Sequence, residues 1–285
     1  MPGPERPREV PLRPAGPRVN LLSVLSLAAL AFFVLVVLTL VASDLVYLFC
    51  YGTASLDEIG RLLVSARLRT AVRLSITTST VTLALILVTA VPVGYALSRY
   101  RFRGHALVNT VVDVPIVLPP VVIGLSLLAF FRTPLGELIR AGLKSGNWST
   151  SSMLGIVLCQ YLVSVSYAIR AMKASFDSAD RGLEQVALSL GCSSWRAFRK
   201  VTLPLARNGL IAGAIMAWAR AVGVFGALAI FVGTASDVLV MPTAIYLEIQ
   251  TGDIEMALVI ALLSVLLAGT ALAVVHCLVP GRKWT

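Results

Sequence analysis

Side chains able to do chemistry are few in this 285-residue chain: two histidines, His105 and His276, and four cysteines, Cys50, Cys159, Cys192 and Cys277, with no ionisable constellation for catalysis in its apolar stretches. No two cysteines form a CxxC pair, so neither a metal site nor a disulfide frame is indicated, and isolated thiols of this kind read as small hydrophobes. A G-x-x-x-x-G-K-[ST] phosphate loop is absent, and with it the usual means of gripping ATP. What remains is charge in apolar surroundings. Arg220 stands inside an apolar run, where a cation costs ~2.5–3.5 kcal/mol on insertion scales and must face a partner or a cavity. Asp113, at the start of another apolar run, is the obvious candidate partner. The functional alternative is a positive element beside an anion path.

The elements that position these charges are membrane spans. The chain is 58% apolar and only 13% charged, with a mean hydropathy of +0.88, against about 45–50% and about 25% in soluble domains. A bilayer core of ~30 Å takes about 20 apolar residues per helix, and six runs qualify: 21–48, 74–98, 111–131, 153–171, 209–232 and 256–279. The first is longer than a signal-peptide core of ~7–15 residues and is read as a retained span. Alternating segments carry 16 and 7 Lys/Arg, which places both termini and the segment 170–208 inside by the positive-inside rule. This gives the formal charge of +10 a topological meaning and leaves no need for a nucleic-acid partner. Residues 1–20, with six prolines and four arginines, read as a disordered cytoplasmic tail. Apolar residues at helical spacing in 51–73 suggest a helix on the outer surface, leading into the second span at Leu74. The basic turn SRYRFRGH, 98–105, has arginines of the kind that reach up to lipid phosphate. Asn147-Trp148-Ser149 matches a glycosylation sequon by chance, and 238–248 is an outer apolar stretch too short to span. The C-terminal tail, 280–285, is expected to leave no room for a regulatory domain.

Prolines mark the third run. Pro115, Pro119 and Pro120 in DVPIVLPPVVIGLSLL each remove a backbone donor, and irregular backbone at membrane depth survives only in protein or along a water-filled cavity. A kinked span facing other helices or a path follows. Near the end of the fifth run, Gly223, Gly226 and Ala227 suit close helix approach, across a dimer if two copies pair or as tight packing without any path, and Phe225 is either a plug in a path or core. Asp113, Pro119, Pro120, Arg220, Gly223, Phe225 and Gly226 are therefore the candidates for lining a path.

The segment EQVALSLGCSSWRAFRKVTLPLARNG, 184–209, is polar yet ordered. Leu183, Val186, Ala187 and Leu190 recur on one helical face, and Glu184 suits the N-terminal end of that helix. Gly191 ends it, and Ser193 or Ser194 can cap a second helix. There Trp195 and Phe198 share a face opposite Arg196, Arg199 and Lys200, until Pro204 breaks the pattern. Such a bracket serves equally to lie on lipid or to dock a cytosolic partner.

Glu184, Ala187, Gly191, Leu203 and Pro204 stand in the register of E-x-A-A-x-x-x-G-x9-I-x-L-P, and the segment resembles the EAA signature of ATP-binding-cassette importer permeases, with Val186 and Val201 in place of Ala and Ile. The resemblance covers roughly 65–278. DVPIVLPPVVIGLSLL with TPLG, SYAIRAMKASF, WARAVGVFGA and MPTAIYLEIQTGDIEMAL look like the molybdate/tungstate branch, whose neighbours are sulfate permeases. One departure stands beside Arg220: Val224 occupies the position of the family's Glu. The resemblance implies an all-α integral membrane fold of six transmembrane helices with a cytoplasmic helix-turn-helix coupling segment, 180–204, before the fifth span. Residues 1–20 are then the tail, 21–48 the first span and 49–285 the permease core of a multi-pass protein of the bacterial inner membrane. It further implies that Glu184, Ala187, Leu190, Gly191, Trp195, Phe198, Leu203 and Pro204 seat on a separate ATPase subunit, with Leu190, Trp195 and Phe198 as anchors. That subunit would hold ATP and Mg, and this chain no cofactor. An extracytoplasmic binding protein and a second permease copy, most simply a homodimer, complete the machine. The implied cargo is a tetrahedral oxyanion, molybdate or tungstate. Sulfate or another small solute, and an ATP-independent channel, are the alternatives.

Overall fold

The computed structural model describes residues 21–47, 56–143, 153–233 and 239–278, and every regular element among them is helical. The tail 1–20, the sequon at Asn147 and residues 279–285 lie outside the described residues. Two units are distinguished, residues 1–52 and 53–285. The described residues of the first form α1 (Leu21–Val46), apolar on every face, as befits a helix surrounded by lipid. Its Thr39 and Ser43 turn their hydroxyls back to the carbonyls of Leu35 and Leu40, at 2.8 and 2.7 Å, so neither presents an unsatisfied group to hydrocarbon.

The second unit is built around α7 (Met153–Asp177), which runs through two apolar clusters. Before it come α2 (Leu56–Val64), α3 (Ala66–Arg99), α4 (His105–Val117), α5 (Pro120–Phe130) and α6 (Pro134–Leu143). After it come α8 (Arg181–Ser189), α9 (Ser194–Ala197), α10 (Leu203–Val222), α11 (Gly226–Phe231), α12 (Met241–Thr251) and α13 (Ile254–Leu278). Across both units, five stretches of the described residues are long and apolar enough to cross a membrane, and α4 with α5 makes a sixth if that bent pair counts as one. α2 and the second span meet sooner than their apolarity suggests. Ser65 accepts from the Leu68 N–H at 3.3 Å and caps α3, so the span helix begins well before Leu74, at Ala66.

The third span is not a single kinked helix. α4 and α5 meet at 107°. Pro115 lies within α4, Pro119 is the N-cap of α5 and Pro120 its first residue. Two consecutive residues without an N–H leave no donor to satisfy at the corner, and the Pro119 carbonyl accepts from Val122 and Ile123. The fifth span also differs from its apolar run: its helical stretch is Ser194–Val222, and the chain breaks at Gly223–Phe225 before the short α11.

Small residues set the spacing of α7 and α10. A Cβ placed on Gly209 would stand 2.4 Å from Ser175 Oγ, and one on Gly213 would stand 2.8 Å from Ala171 Cβ. The two helices therefore approach through paired small residues four apart on each, the geometry that substitutes for hydrophobic drive inside a bilayer. The buried face of α3 is polar near one end, with Ser75, Thr78, Ser79 and Thr82 fully buried, and apolar at Ile86, Ala90, Gly94 and Leu97 before the buried Ser98. Thr78 and Ser79 bond back along their own helix, Thr82 donates to Gln160 Oε1 at 3.0 Å, and Ser75 Oγ accepts from the Met241 N–H at 2.7 Å. That last bond satisfies the first turn of α12, whose buried Glu248 pairs with Arg67 of α3 at 3.0 Å. Gly213→Leu is expected to separate α10 from α7 and cost about 1–3 kcal/mol, read as a lower melting midpoint in detergent. Gly269→Ala, where an added Cβ meets nothing within 4 Å, should leave that midpoint unchanged.

Candidate functional site

Two places keep functional side chains in view: the elbow formed by α8 and α9, and the end of α10. Asp180 opens the elbow by accepting from the Gly182 N–H at 2.7 Å. At the other end of α8 the Cys192 N–H bonds to the Ala187 carbonyl at 3.1 Å and the Gly191 N–H to that of Leu188 at 3.0 Å. This paired closure needs a left-handed residue after the helix, and Gly191 has φ +86°, as its position predicts. Ser193 holds the N-cap position of α9 through its backbone alone, since its hydroxyl makes no capping bond.

Pro204 does not break the pattern. Residues Phe198–Thr202 form a π turn in which the Leu203 N–H reaches back to the Phe198 carbonyl. That one wide turn lets a proline without an N–H enter a continuous stretch from Ser194 to Val222. Leu203 is half-buried and Pro204 exposed.

The elbow divides its apolar residues between two faces. Leu190 is 81% and Trp195 69% exposed, with Leu183 and Val186 also open. Phe198 turns the other way, against the expectation of a third outward knob. It packs edge-on to Tyr95 at 4.7 Å and lies 6.1 Å from Phe176, with Trp195 stacked on its outer side at 5.5 Å. Ala187 is half-buried. Glu184 also points inward. One oxygen accepts from the Tyr95 hydroxyl and the other lies 2.9 Å from Arg99 Nε. The latter is a charge contact without the alignment of a hydrogen bond, since Arg99 Nε and Nη1 lack hydrogen-bond partners. Arg99 therefore does not reach toward lipid phosphate. Its Nη2 donates to the Ala179 carbonyl at 3.1 Å, and Arg181 donates to that of Ser98. Sequence reading missed Tyr95 and Arg99 because they lie about 90 residues upstream, in a different span. The only local signal was the basic end SRY at 98–100.

At the end of α10, Arg220 and Asp113 are not partners. Asp113 takes a two-pronged contact from Arg170 of α7, whose nitrogens also reach the side-chain and backbone oxygens of Asn109 at 3.0 and 2.9 Å. Arg220 instead lies over the Tyr167 ring, 5.1 Å from its centre, a favourable cation–π placement. Its Nε is buried without a hydrogen-bond partner. Tyr167 sends a long 3.5 Å bond to the Ile116 carbonyl just before the α4–α5 corner. Val224 is 2% exposed and packs with Ile123, Leu127 and Phe131. The residue at the family's Glu position thus points into an apolar cluster, where an unpaired carboxylate would be costly.

The candidate path residues separate accordingly. Gly226 and Ala227 give close approach within the chain, not across a dimer: a Cβ on Gly226 would stand 2.9 Å from Val121 Cγ2, and one on Gly124 would meet the Ala227 carbonyl oxygen at 2.5 Å. Gly223 closes α10 and is exposed, and the exposed Phe225 ring lies 5.2 Å from that of Tyr246. A crevice of about 640 Å³ lies elsewhere, among Leu85, Phe130, Leu154 and Tyr161. It offers no anion donor, since Tyr161 donates to Thr89 at 3.1 Å and Thr89 donates to the Leu85 and Ile86 carbonyls.

Among the described residues, five to six candidate spans, an apolar helix pair bent by 107° and an exposed elbow before the penultimate span define a multi-pass membrane protein. Residues 90–283 match the family described as "Binding-protein-dependent transport system inner membrane component", and the chain belongs to that family. Among its relatives, the "Molybdate/tungstate transport system permease protein WtpB" of Thermococcus kodakarensis is 40% identical over 160 residues, 56% of this chain and 59% of that protein. The "Probable molybdenum ABC transporter permease protein" of Haloferax volcanii is 36% identical over 213 residues, 73% of this chain and 75% of that protein. The "Molybdenum transport system permease protein ModB" of Haemophilus influenzae is 36% identical over 212 residues, covering 70% and 90%. In fold, the chain is similar to a bacterial ABC transporter that imports alginate, with a TM-score of 0.72 at 14% identity over 93% of this chain and 96% of that one. It is also similar to the MetNI methionine ABC transporter, with a TM-score of 0.56 at 17% identity over 79% and 99%.

The left-handed turn makes a graded pair of variants. Gly191→Pro cannot adopt φ +86° and removes the N–H bonded to Leu188. It should abolish transport while the protein still inserts and purifies. Gly191→Ala, which meets no neighbour and bears only the left-handed strain of about 1–2 kcal/mol, should retain part of it. Uptake in reconstituted vesicles at equal protein loading checks both.

Proposed function

We propose that this chain is the permease subunit of an ATP-driven importer for a tetrahedral oxyanion, molybdate or tungstate, delivered by an extracytoplasmic binding protein. The observation that carries the substrate class is Arg220: a half-buried cation with a spare donor, beside a chain break, facing no carboxylate among the described residues. In low dielectric such a cation attracts a dianion and repels a metal cation. The names of the relatives that share the sequence support the same class.

The elbow faces the cytoplasm in this reading, with both termini on the same side, as the charge bias favours. Leu190 and Trp195 then seat in a cleft of a separate ATPase subunit, which holds ATP and Mg. Phe198, turned inward, is the support behind them. Two copies of this chain, each with its ATPase, form the pathway, and ATP-driven closure draws the two elbows together. Inverting a gate from 1:99 to 99:1 takes about 5.5 kcal/mol of differential binding, all of it passing through this contact.

Sulfate keeps the same charge and geometry, and is the second reading. Vesicles carrying the complete transporter separate the possibilities. Uptake of molybdate or tungstate that requires ATP, stops with vanadate and resists excess sulfate supports the proposal. Sulfate uptake of equal efficiency moves the substrate to the second reading, and uptake without ATP points to a channel. Arg220→Ala is expected to lower oxyanion uptake about tenfold or more, the loss of one charge-assisted contact, with assembly intact by size exclusion. Unchanged uptake would confine Arg220 to its packing on Tyr167.

A further inference from the structure

We propose that Tyr95 is the joint that holds both arms of the elbow to the helical bundle, and that Glu184 is a positioning residue acting inward on Tyr95 and Arg99 rather than a contact to the ATPase. This rests on the docking role proposed for the elbow and names the part of it that carries the load.

Three observations converge. First, both Glu184 oxygens face into the chain: one accepts from the Tyr95 hydroxyl, and the other, buried and without a hydrogen bond, lies 2.9 Å from Arg99 Nε. The Glu184 side chain is 12% and that of Arg99 7% exposed, while Leu190 and Trp195 stand open on the elbow's outer face. A partner arriving at those two residues meets a Glu184 carboxylate turned away from it. Second, Tyr95 touches both arms. Its hydroxyl holds Glu184 of α8, and its ring stands edge-on to Phe198, beyond α9, at 4.7 Å and to Phe176 of α7 at 5.5 Å. Third, the turn between the arms is closed only locally. Its own bonds, Gly191 N–H to Leu188 and Cys192 N–H to Ala187, hold it, and no other heavy atom lies within 4 Å of where a Gly191 Cβ would be. The seat of the two arms on the bundle therefore rests on their shared anchor at Tyr95.

The approach to α8 is secured to the same end of α3. Arg99 donates to the Ala179 carbonyl and Arg181 to that of Ser98, while Ser98 donates to Asp177 at the end of α7. A pull on Leu190 and Trp195 therefore enters α3 and α7 together through a small buried joint. A buried pair that loses one partner leaves an uncompensated charge, so the members should act as one unit and their removals should not add.

The test uses the reconstituted transporter with its ATPase and binding protein, carrying Ser189→Cys as a crosslinking reporter with Cys192→Ser. Glu184→Gln, Arg99→Gln and the double variant are compared for oxyanion uptake per ATP hydrolysed and for capture of the ATPase by the thiol introduced at position 189. Each single variant should lower uptake per ATP about tenfold, and the double should lose no more than the worse single. The crosslink to the ATPase should persist throughout. Tyr95→Phe keeps the ring and removes the hydroxyl. It should show the same loss at wild-type yield, which keeps the proposal testable if the arginine variant fails to fold. Arg99→Gln and Tyr95→Phe that both transport like wild type, beside a defective Glu184→Gln, overturn the joint and place Glu184 on the partner. Additive losses overturn it as well. Absence of any crosslink in the otherwise unaltered chain overturns the docking role itself, an outcome distinct from both.

Discussion

In a bilayer, no water is available to a backbone N–H or carbonyl that leaves a helix. Every interruption of a span must therefore be covered by protein or line a water-filled cavity, and the two interruptions here pack against each other. The α4–α5 corner uses consecutive prolines, which have no donor to bury, and α5 then meets α11 at the break after α10. Gly124 lies against the Ala227 backbone and Gly226 against Val121, so the two broken elements pack nearly backbone to backbone. Around that contact sits an apolar cluster shared with α7, and Val224 is part of it. Irregular backbone is at once the least stable kind of structure in a membrane and, where it lines a cavity, the kind that can border a path.

Charge obeys the same constraint. Asp113 and Arg170 satisfy one another between α4 and α7, with Asn109 accepting further bonds from the guanidinium. Among the described residues, Arg220 is left with an aromatic face and no anion. A carboxylate at position 224 would enter the apolar cluster, so valine there suits both the packing and a cation kept free. The contrast between a matched pair and an unmatched cation one α7 turn apart makes the second the electrostatic focus of the region.

The elbow shows why an ordered pattern of residue types does not by itself say which way each side chain works. Leu190 and Trp195 face outward, whereas Phe198 and Glu184, on the same short segment, are turned into the bundle by the aromatic and ionic partners that α3 and α7 offer. The π turn before Pro204 makes the second arm continuous with the fifth span, so motion of the elbow is motion of that helix.

The sequence alone determined the membrane class, the number and order of apolar runs, the helix-ending role of Gly191 and the family register of the elbow. Those properties are local: they depend on hydropathy over about 20 residues, on the φ that glycine tolerates, and on fixed spacing along one segment. The tertiary structure decided what lies between segments distant in the chain. It assigned Asp113 to Arg170 rather than Arg220, Glu184 to Tyr95 and Arg99, and Gly226 to Val121 of the same chain. It also set the 107° corner that prolines announced only as a kink, and carried a helix through Pro204 by widening one turn. Pairing and direction depend on which faces meet when helices pack, and the linear order of residues does not contain that information in readable form.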